Sequence, residues 1–262
     1  MLIDSPVVLC LGAFIRREHG LALARYANNE DVGHAKRRGI TPTDAGLLAI
    51  EYAGLRALRT FGDADMCAHA QRLVSLAEAV GSYLKLNCNE MFLLRMGALL
   101  HDIGKSAVPS SILYKPCALN AEERACMQQH PQLGQRILFL AGLDFAQFAP
   151  LVVAHHECWD GSGYPSGLRE NQIPLLARIL TVVDAYDAMV SRRVYGHPQP
   201  VVEAHQELLR CAGQQFDPHI VYAFLSVFGA QYAQHPIAAG LSALIAGLVD
   251  YAKSLSRWTC IG

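Results

Sequence analysis

The sequence has little charge with which to hold a polyanion. Charged residues make up only 17% of the chain, and its 22 basic and 23 acidic side chains leave a formal net charge of −1. Long nucleic acids are bound mainly through clustered lysine and arginine, so this balance excludes a function that depends on a basic surface. A small phosphorylated ligand remains open, because it needs only a few local cations.

Signals for secretion and for membrane insertion are also missing. The eight cysteines include no CxxC pair and follow no regular spacing, which predicts reduced thiols rather than a disulfide framework. The first 20 residues contain an acid at Asp4 and only a short apolar run, unlike a secretory signal. The apolar run at 237–249 is shorter than the roughly 20 residues of a membrane-spanning helix. We therefore expect a cytoplasmic protein without a transmembrane span.

The chain is instead rich in apolar, helix-forming sequence. Apolar residues make up 52% of it, enough for a sizeable core. No segment alternates with a period of two, whereas apolar spacings of three and four recur, so we predict an all-α fold. Asp63 is expected to cap a helix that ends at Gly81, Asn120 to open another, and residues 145–155 to form a third. The glycine-rich stretch 160–167 predicts a loop.

These patterns divide the chain into three predicted parts. Residues 1–60 form a helical appendage without histidine clusters, residues 61–235 form the main domain, and residues 236–262 form a C-terminal helix. The apolar residues within 237–255 lie on one helical stripe. That stripe leaves three alternatives open: docking on the chain's own bundle, a dimer contact, or a membrane-surface helix.

Histidines are unusually common, with 11 in the chain, and several lie beside acids or beside one another. A buried histidine–carboxylate pair needs a partner, and a metal ion is a good one. Imidazoles and carboxylates without patterned thiols suit divalent iron, manganese, nickel or zinc. The set contains too many ligands for one ion, so we expect more than one. Its members, in chain order, are Asp65, His69, His101, Asp102, His130, His155, His156 and Asp184.

Five segments in order give this set a family resemblance. The segments are LLHDIGK (99–105), ILYKP (112–116), HP followed by glycine (130–134), HHECWDGSGYP (155–165), and IPLLARIL with VDAYDAM (173–189). Together they resemble the HD-GYP family. That family is a bacterial branch of the HD phosphohydrolases that hydrolyse cyclic di-GMP. The resemblance covers residues 61–228 and implies a helical bundle of the HD type.

The resemblance also implies roles for individual residues. Asp102 is expected to bridge two divalent ions, iron or manganese first, with nickel or zinc as alternatives. Lys105 is similar to the family's phosphate-binding lysine, and with Asp102 forms the expected catalytic pair. Asp65 stands where some members carry a third-metal glutamate, which leaves a third ion open. The implied metal ligands are His69, His101, Asp102, His130, His155, His156 and Asp184; the implied substrate-binding residues are Lys105, Gly161, Gly163, Tyr164, Pro165, Arg193 and Tyr195.

Three functions are compatible with these residues. The first is a metal-dependent phosphodiesterase that hydrolyses cyclic di-GMP through a metal-bridging hydroxide. The second is hydrolysis of another cyclic dinucleotide or nucleotide, because a metal core alone does not select a base. The third is a weakly active module that docks on signalling partners. We expect cyclic di-GMP as the small-molecule substrate, and a homodimer or signalling-protein contact stays an open prediction.

Overall fold

A computed structural model describes residues 2–27, 42–191 and 198–229 of the chain. Over these ranges the all-α prediction is confirmed, since the only β-type pairing is an isolated bridge between Ala212 and Phe216. Three short 3-10 helices cover Leu2–Asp4, Ile103–Ala107 and Glu170–Gln172. The α-helices are α1 (Pro6–Ala27), α2 (Pro42–Phe61), α3 (Ala64–Tyr83), α4 (Cys88–Leu100), α5 (Ser110–Leu113), α6 (Ala121–Met127), α7 (His130–Ala141), α8 (Leu143–Ala146), α9 (Ala149–Ala154), α10 (Leu175–Val190), α11 (Val201–Arg210) and α12 (Pro218–Phe228).

Side-chain caps fix where several helices begin. The Asp63 side chain accepts a hydrogen bond from the Met66 backbone N–H, as predicted for the start of α3. Asn120 opens α6, as predicted, and forms a capping box with Glu123. Each cap satisfies backbone N–H groups that have no partner inside the helix, which is worth about 1 kcal/mol.

The predicted end of α3 at Gly81 is wrong by two residues. The helix continues to Tyr83, and the chain then turns at Lys85, whose φ is +58°. The Leu86 N–H donates to the Gly81 carbonyl at 3.0 Å, which is the closing bond of a Schellman motif. Gly81 is instead a close-packing position: a Cβ there would lie 3.0–3.1 Å from Met91, Leu86 and Leu94.

The single helix predicted over 145–155 is also wrong, because two short helices, α8 and α9, occupy this stretch. Pro150 lies in the first turn of α9, where its missing N–H costs nothing and its ring favours a fresh helix start. The break lets Phe145 and Phe148 both enter the core, with ring centroids 6.1 Å apart.

The two N-terminal helices pack on the same core as the histidine-containing bundle. Leu11 and Ile15 of α1 are fully buried in one cluster with Leu133 and Ile137 of α7. Gly12 makes this approach close, since a Cβ there would lie 2.5 Å from the Leu140 Cβ. The three-part division of the chain stays a prediction, and the C-terminal helix falls outside the described residues.

A second buried cluster joins α3, α4, α10 and α12. Its fully buried side chains include Leu73, Leu94, Ile179, Val183 and Phe224. Each such side chain contributes about 1.5–3 kcal/mol on burial, so the helices around the polar cluster described below are firmly held. Among the described helices, none is both long and apolar enough to cross a bilayer.

Candidate metal centre

The seven predicted ligands converge on one place in the bundle from five different segments. Helices α3 and α10 each supply one ligand from the interior of the helix, while the other five ligands lie at helix ends, where the chain turns. The segments are α3 with His69, the end of α4 with His101 and Asp102, the first turn of α7 with His130, the turn after α9 with His155 and His156, and α10 with Asp184.

One group of ligand atoms forms where α3 meets the end of α4. His69, His101 and Asp102 each offer an atom within 4.8 Å of the others. The Nε2 atoms of His69 and His101 are 3.3 Å apart. The Asp184 Oδ1 atom approaches His69 Nε2 at 3.2 Å, so Asp184 faces the same group.

A second group contains only histidines. His130, His155 and His156 also lie within 4.8 Å of one another by their ligand atoms, and the Nε2 atoms of His130 and His155 are 3.2 Å apart. Asp102 stands between the two groups. Its Oδ2 is 3.2 Å from His101 Nε2, and its Oδ1 is 3.3 Å from His130 Nε2. One carboxylate therefore faces both groups, one oxygen to each.

Backbone carbonyls orient three of the histidines. In each, Nδ1–H donates to the carbonyl oxygen three residues earlier, which turns Nε2 toward the cluster. The pairs are His101 with Ala98 (2.9 Å), His130 with Met127 (2.9 Å) and His155 with Val152 (2.6 Å). Such outer hydrogen bonds fix the tautomer that leaves Nε2 free to bind a metal.

At His155, His156 and Asp102 the electrostatics favour the protonation states that metal ligands need. Burial and the neighbouring imidazoles hold the pKa of His155 well below its usual value. Burial and His130 lower the pKa of His156 to about 4. For Asp102, burial alone would raise the pKa, but the charges of His101 and Lys105 outweigh it and hold the pKa well below the usual range. Neutral His155 and His156 beside an ionised Asp102 are in the protonation states that bind cations.

An orphaned oxygen provides the test of whether a metal fits. Asp102 Oδ1 is buried and accepts no hydrogen bond from any residue that the structure describes. A buried carboxylate oxygen without a partner is costly, and several imidazole Nε2 atoms point at the same space. A pair of divalent ions would bind both the unpartnered carboxylate oxygen and these imidazole nitrogens, so the residues fit a metal centre.

His69 is oriented differently, by a carboxylate that sequence reasoning missed. Its Nδ1 lies 2.7 Å from Asp187 Oδ2, and Asp187 also accepts from Arg72 and Ser191. Burial would lower the pKa of His69, but hydrogen bonds to Asp184 and Asp187 raise it to about 9. The available signal was spacing: Asp187 follows Asp184 by three residues, and Arg72 follows His69 by three, so each pair shares a helix face.

Lys105 and Asp65 differ in how closely they join the cluster. Lys105 Nζ donates to Asp102 Oδ2 at 2.6 Å, which brings a cation to the carboxylate between the two groups. Asp65 is exposed and belongs to neither ligand group among the described residues. Both line a cavity of about 320 Å³ that also reaches His69 and Arg72. The role of Asp65 as a ligand of a third ion stays a prediction.

The predicted glycine-rich loop lies against the histidine group. The Tyr164 ring stacks on His156, with centroids 4.9 Å apart and an interplanar angle of 27°. Gly161 has φ +80°, which favours glycine, and a Cβ at Gly163 would lie 2.2 Å from the Cys158 backbone nitrogen. Pro165 follows Tyr164 in the same loop. Arg193 and Tyr195, predicted to bind substrate, lie outside the described residues.

A buried glutamate, also missed by sequence reasoning, holds this loop. Glu157 is 1% exposed, and its two carboxylate oxygens accept the backbone N–H groups of Ser166 and Leu168 at 2.7 and 3.0 Å. The loop is thus fastened to the residue directly after His156. The signal in the sequence was an acid placed directly after the two histidines and before the glycine-rich loop.

Comparison with known proteins places the chain in a family. A family model described as "HD domain" matches residues 63–220, more than half of the chain. The chain belongs to the HD-domain family. This confirms the resemblance drawn from the sequence, because relatives of the chain are named cyclic di-GMP phosphodiesterases, the activity associated with the HD-GYP family.

Two relatives of the chain are named as phosphodiesterases of cyclic dinucleotides. The chain is 39% identical over 176 residues to a "Cyclic di-GMP phosphodiesterase" of Thermotoga maritima, covering 66% of this chain and 47% of the relative. It is 38% identical over 159 residues to "3'3'-cGAMP-specific phosphodiesterase 2" of Vibrio cholerae, covering 60% and 30%. The chain therefore spans about half or less of the length of these relatives.

A solved structure supports the fold. Bd1817, an HDG"Y"P protein from Bdellovibrio bacteriovorus, aligns with a TM-score of 0.54 and 19% sequence identity, covering 87% of this chain and 76% of that one. At this identity the likeness concerns the HD-type helical architecture alone.

Proposed function

We propose that this chain is a metal-dependent phosphodiesterase that hydrolyses cyclic di-GMP. The observation that carries the proposal is the position of Asp102, whose two oxygens face two separate groups of metal-type ligands. The proposed cofactor is a pair of divalent transition-metal ions, with iron or manganese first and nickel or zinc as alternatives. The proposed ligands are His69, His101, Asp102, His130, His155, His156 and Asp184.

Asp65 is the proposed ligand of a third ion, if the chain holds one. It is exposed, and it lines the same cavity as His69 and Asp102. In an Asp65→Ala variant, the metal count would fall by one only if this third site exists.

The chemistry that the ions would supply is Lewis acidity, which activates water near neutral pH and neutralises phosphoryl oxygens. The chain's own residues hold and orient the diester. Lys105, already beside Asp102, would place positive charge near the nonbridging oxygens. Tyr164, stacked on His156, would form a flat wall for a nucleobase together with the loop at Gly161, Gly163 and Pro165. Arg193 and Tyr195 are proposed as further substrate contacts.

The names of the relatives support this substrate class and also raise a second candidate. One relative is named for cyclic di-GMP and another for 3'3'-cGAMP, at nearly equal identity to this chain. The two compounds share a cyclic phosphodiester backbone and one guanine, so a metal centre alone would accept either. Cyclic di-GMP remains the first candidate because relatives named for it include both the 39% match and a 45% match over 135 residues.

Side-by-side turnover of the two dinucleotides tests the proposal. Purified chain loaded with Mn²⁺ or Fe²⁺ is incubated with each compound, and linear products are measured. Asp102→Asn is the inactive reference, and Asp144→Asn is the matched control, because Asp144 is an exposed acid that contacts His19 away from the cluster. Faster turnover of cyclic di-GMP supports the first candidate and faster turnover of 3'3'-cGAMP the second. Metal binding without turnover of either would favour the docking module instead.

A further inference from the structure

His69 stands apart from the other clustered histidines in how its Nδ1 atom is held. His101, His130 and His155 donate Nδ1–H to the backbone carbonyl oxygen three residues earlier. His69 instead donates to Asp187, a side chain 118 residues away on α10. Its orientation therefore depends on a side-chain contact between α3 and α10, rather than on its own backbone.

Asp187 is nearly saturated with donors. Its Oδ2 accepts from His69 Nδ1 at 2.7 Å and from Arg72 Nη2 at 2.9 Å. Its Oδ1 accepts from Arg72 Nε at 2.7 Å and from Ser191 Oγ at 2.9 Å. The residue is only 2% exposed, and the two-bond contact with Arg72 fixes the plane of the carboxylate. Rotation of Asp187 would break at least one of these bonds.

The arrangement repeats along two adjacent helices. His69 and Arg72 are separated by one turn of α3, and Asp184 and Asp187 by one turn of α10. Asp184 faces His69 Nε2 at 3.2 Å. One turn further along α10, Asp187 accepts hydrogen bonds from Nδ1 of the same ring and from Arg72. Asp187 and Arg72 thus set both the rotation and the tautomer of the His69 ring, whose Nε2 atom faces the ligand group.

We propose that Asp187 and Arg72 form a positioning pair that holds His69 with Nε2 available to a metal ion, a role that rests on the proposed metal-dependent function. Asp187 accepts a hydrogen bond from His69 Nδ1–H, and Arg72 keeps the carboxylate in plane. The arginine side chain is 45% exposed and lines the 320 Å³ cavity. Because Asp187 is buried, Arg72 is replaced by lysine in the test below, which keeps a positive charge beside the carboxylate and removes only the two-bond contact.

Asp187→Asn is the sharpest perturbation. Both carboxylate oxygens receive N–H donors, so an amide of the same shape must turn its own NH₂ toward one of them. Facing His69, it would force the proton onto Nε2; facing Arg72, it would repel the guanidinium. Loss of such an outer partner typically weakens metal binding 10- to 100-fold.

Mn²⁺ binding to the metal-stripped full chain, followed by the EPR signal of free Mn²⁺, is the experiment. We expect Asp187→Asn to bind the most weakly held ion about 10- to 100-fold less tightly, and Arg72→Lys to lose a smaller factor because it keeps the charge but not the two-bond contact. Arg95→Lys is the matched control, since Arg95 bridges Glu51 and Glu78 outside the cluster and should leave Mn²⁺ affinity unchanged.

The outcomes separate this role from the proposed activity. Circular dichroism and melting temperature establish that each variant is folded; if Asp187→Asn is not, Arg72→Lys decides. Wild-type Mn²⁺ affinity in the folded variants would overturn the inference, as would an equal loss in Arg95→Lys. A wild-type chain that binds Mn²⁺ but cleaves no dinucleotide would contradict the proposed activity, while the affinities would still decide the positioning role. A wild-type chain that binds no Mn²⁺ would overturn both.

Discussion

One buried carboxylate fastens the glycine-rich loop to the rest of the bundle, and its replacement should loosen that loop. Glu157→Gln keeps the size and one acceptor oxygen of the side chain but turns an NH₂ group toward the backbone N–H of Ser166 or Leu168. A hydrogen bond to a buried charged group contributes about 1.5–3 kcal/mol, and the amide loses one such bond and weakens the other. We expect the free energy of loop opening to fall by about that amount.

Amide hydrogen exchange measures this directly. Because each 1.4 kcal/mol is a factor of ten, the Ser166 and Leu168 amides should exchange roughly 10- to 150-fold faster in Glu157→Gln. Glu203→Gln is the matched control, since Glu203 is exposed on α11. The KM for a dinucleotide should rise in Glu157→Gln, because Tyr164 would lose its fixed position over His156. Unchanged protection of both amides would refute the assignment of Glu157 as the fastening residue.

Two further predictions concern stability. Gly163→Ala would place a Cβ 2.2 Å from the Cys158 nitrogen and should lower the free energy of unfolding by about 1–3 kcal/mol, whereas Gly20→Ala in open space on α1 should raise it by about 0.5–1 kcal/mol; equal urea midpoints would contradict the pair. Burial lowers the pKa of His205, so the unfolded chain takes up a proton at about pH 6.5 before the folded chain does, and stability falls as the pH falls below that value. Urea unfolding of wild type and His205→Phe at pH 7.5 and 5.5 should therefore show a smaller pH loss in the variant, and parallel losses would contradict the assignment.

The metal-type ligands could be predicted from the sequence because their signals are local. His101 and Asp102 are adjacent at the end of an apolar helix, His155 and His156 are adjacent before a glycine-rich loop, and Asp184 interrupts an apolar run. A helix end or a buried charge is visible within one segment, and the order of the segments indicates the family. The structure brings these residues together, and their role as metal ligands stays a prediction.

The partners of those ligands could not be predicted in the same way. Asp187 contacts residues 115 and 118 positions away, and nothing within α10 distinguishes it from an ordinary helical acid except its spacing from Asp184. Glu157 was equally ambiguous, because its burial depends on how the loop folds back over it. Both contacts are fixed by tertiary packing, which a local pattern does not contain.

Two errors in helix boundaries have the same origin. Gly81 is a helix breaker by local propensity, but tight packing against Met91 and Leu94 keeps it inside α3. Residues 145–155 have a helical apolar pattern, but Pro150 restarts the helix so that Phe145 and Phe148 can both be buried. In both places the core, rather than the local preference, decides where the helix ends.

The central claim is that Asp102 bridges two ions, and metal counting tests it most directly. Elemental analysis after anaerobic purification should find at least two transition-metal ions per wild-type chain and per Asp144→Asn chain. Asp102→Asn should lose metal while its circular dichroism remains helical. One ion or none in the wild type under saturating conditions, or a normal metal count in folded Asp102→Asn, would contradict the claim.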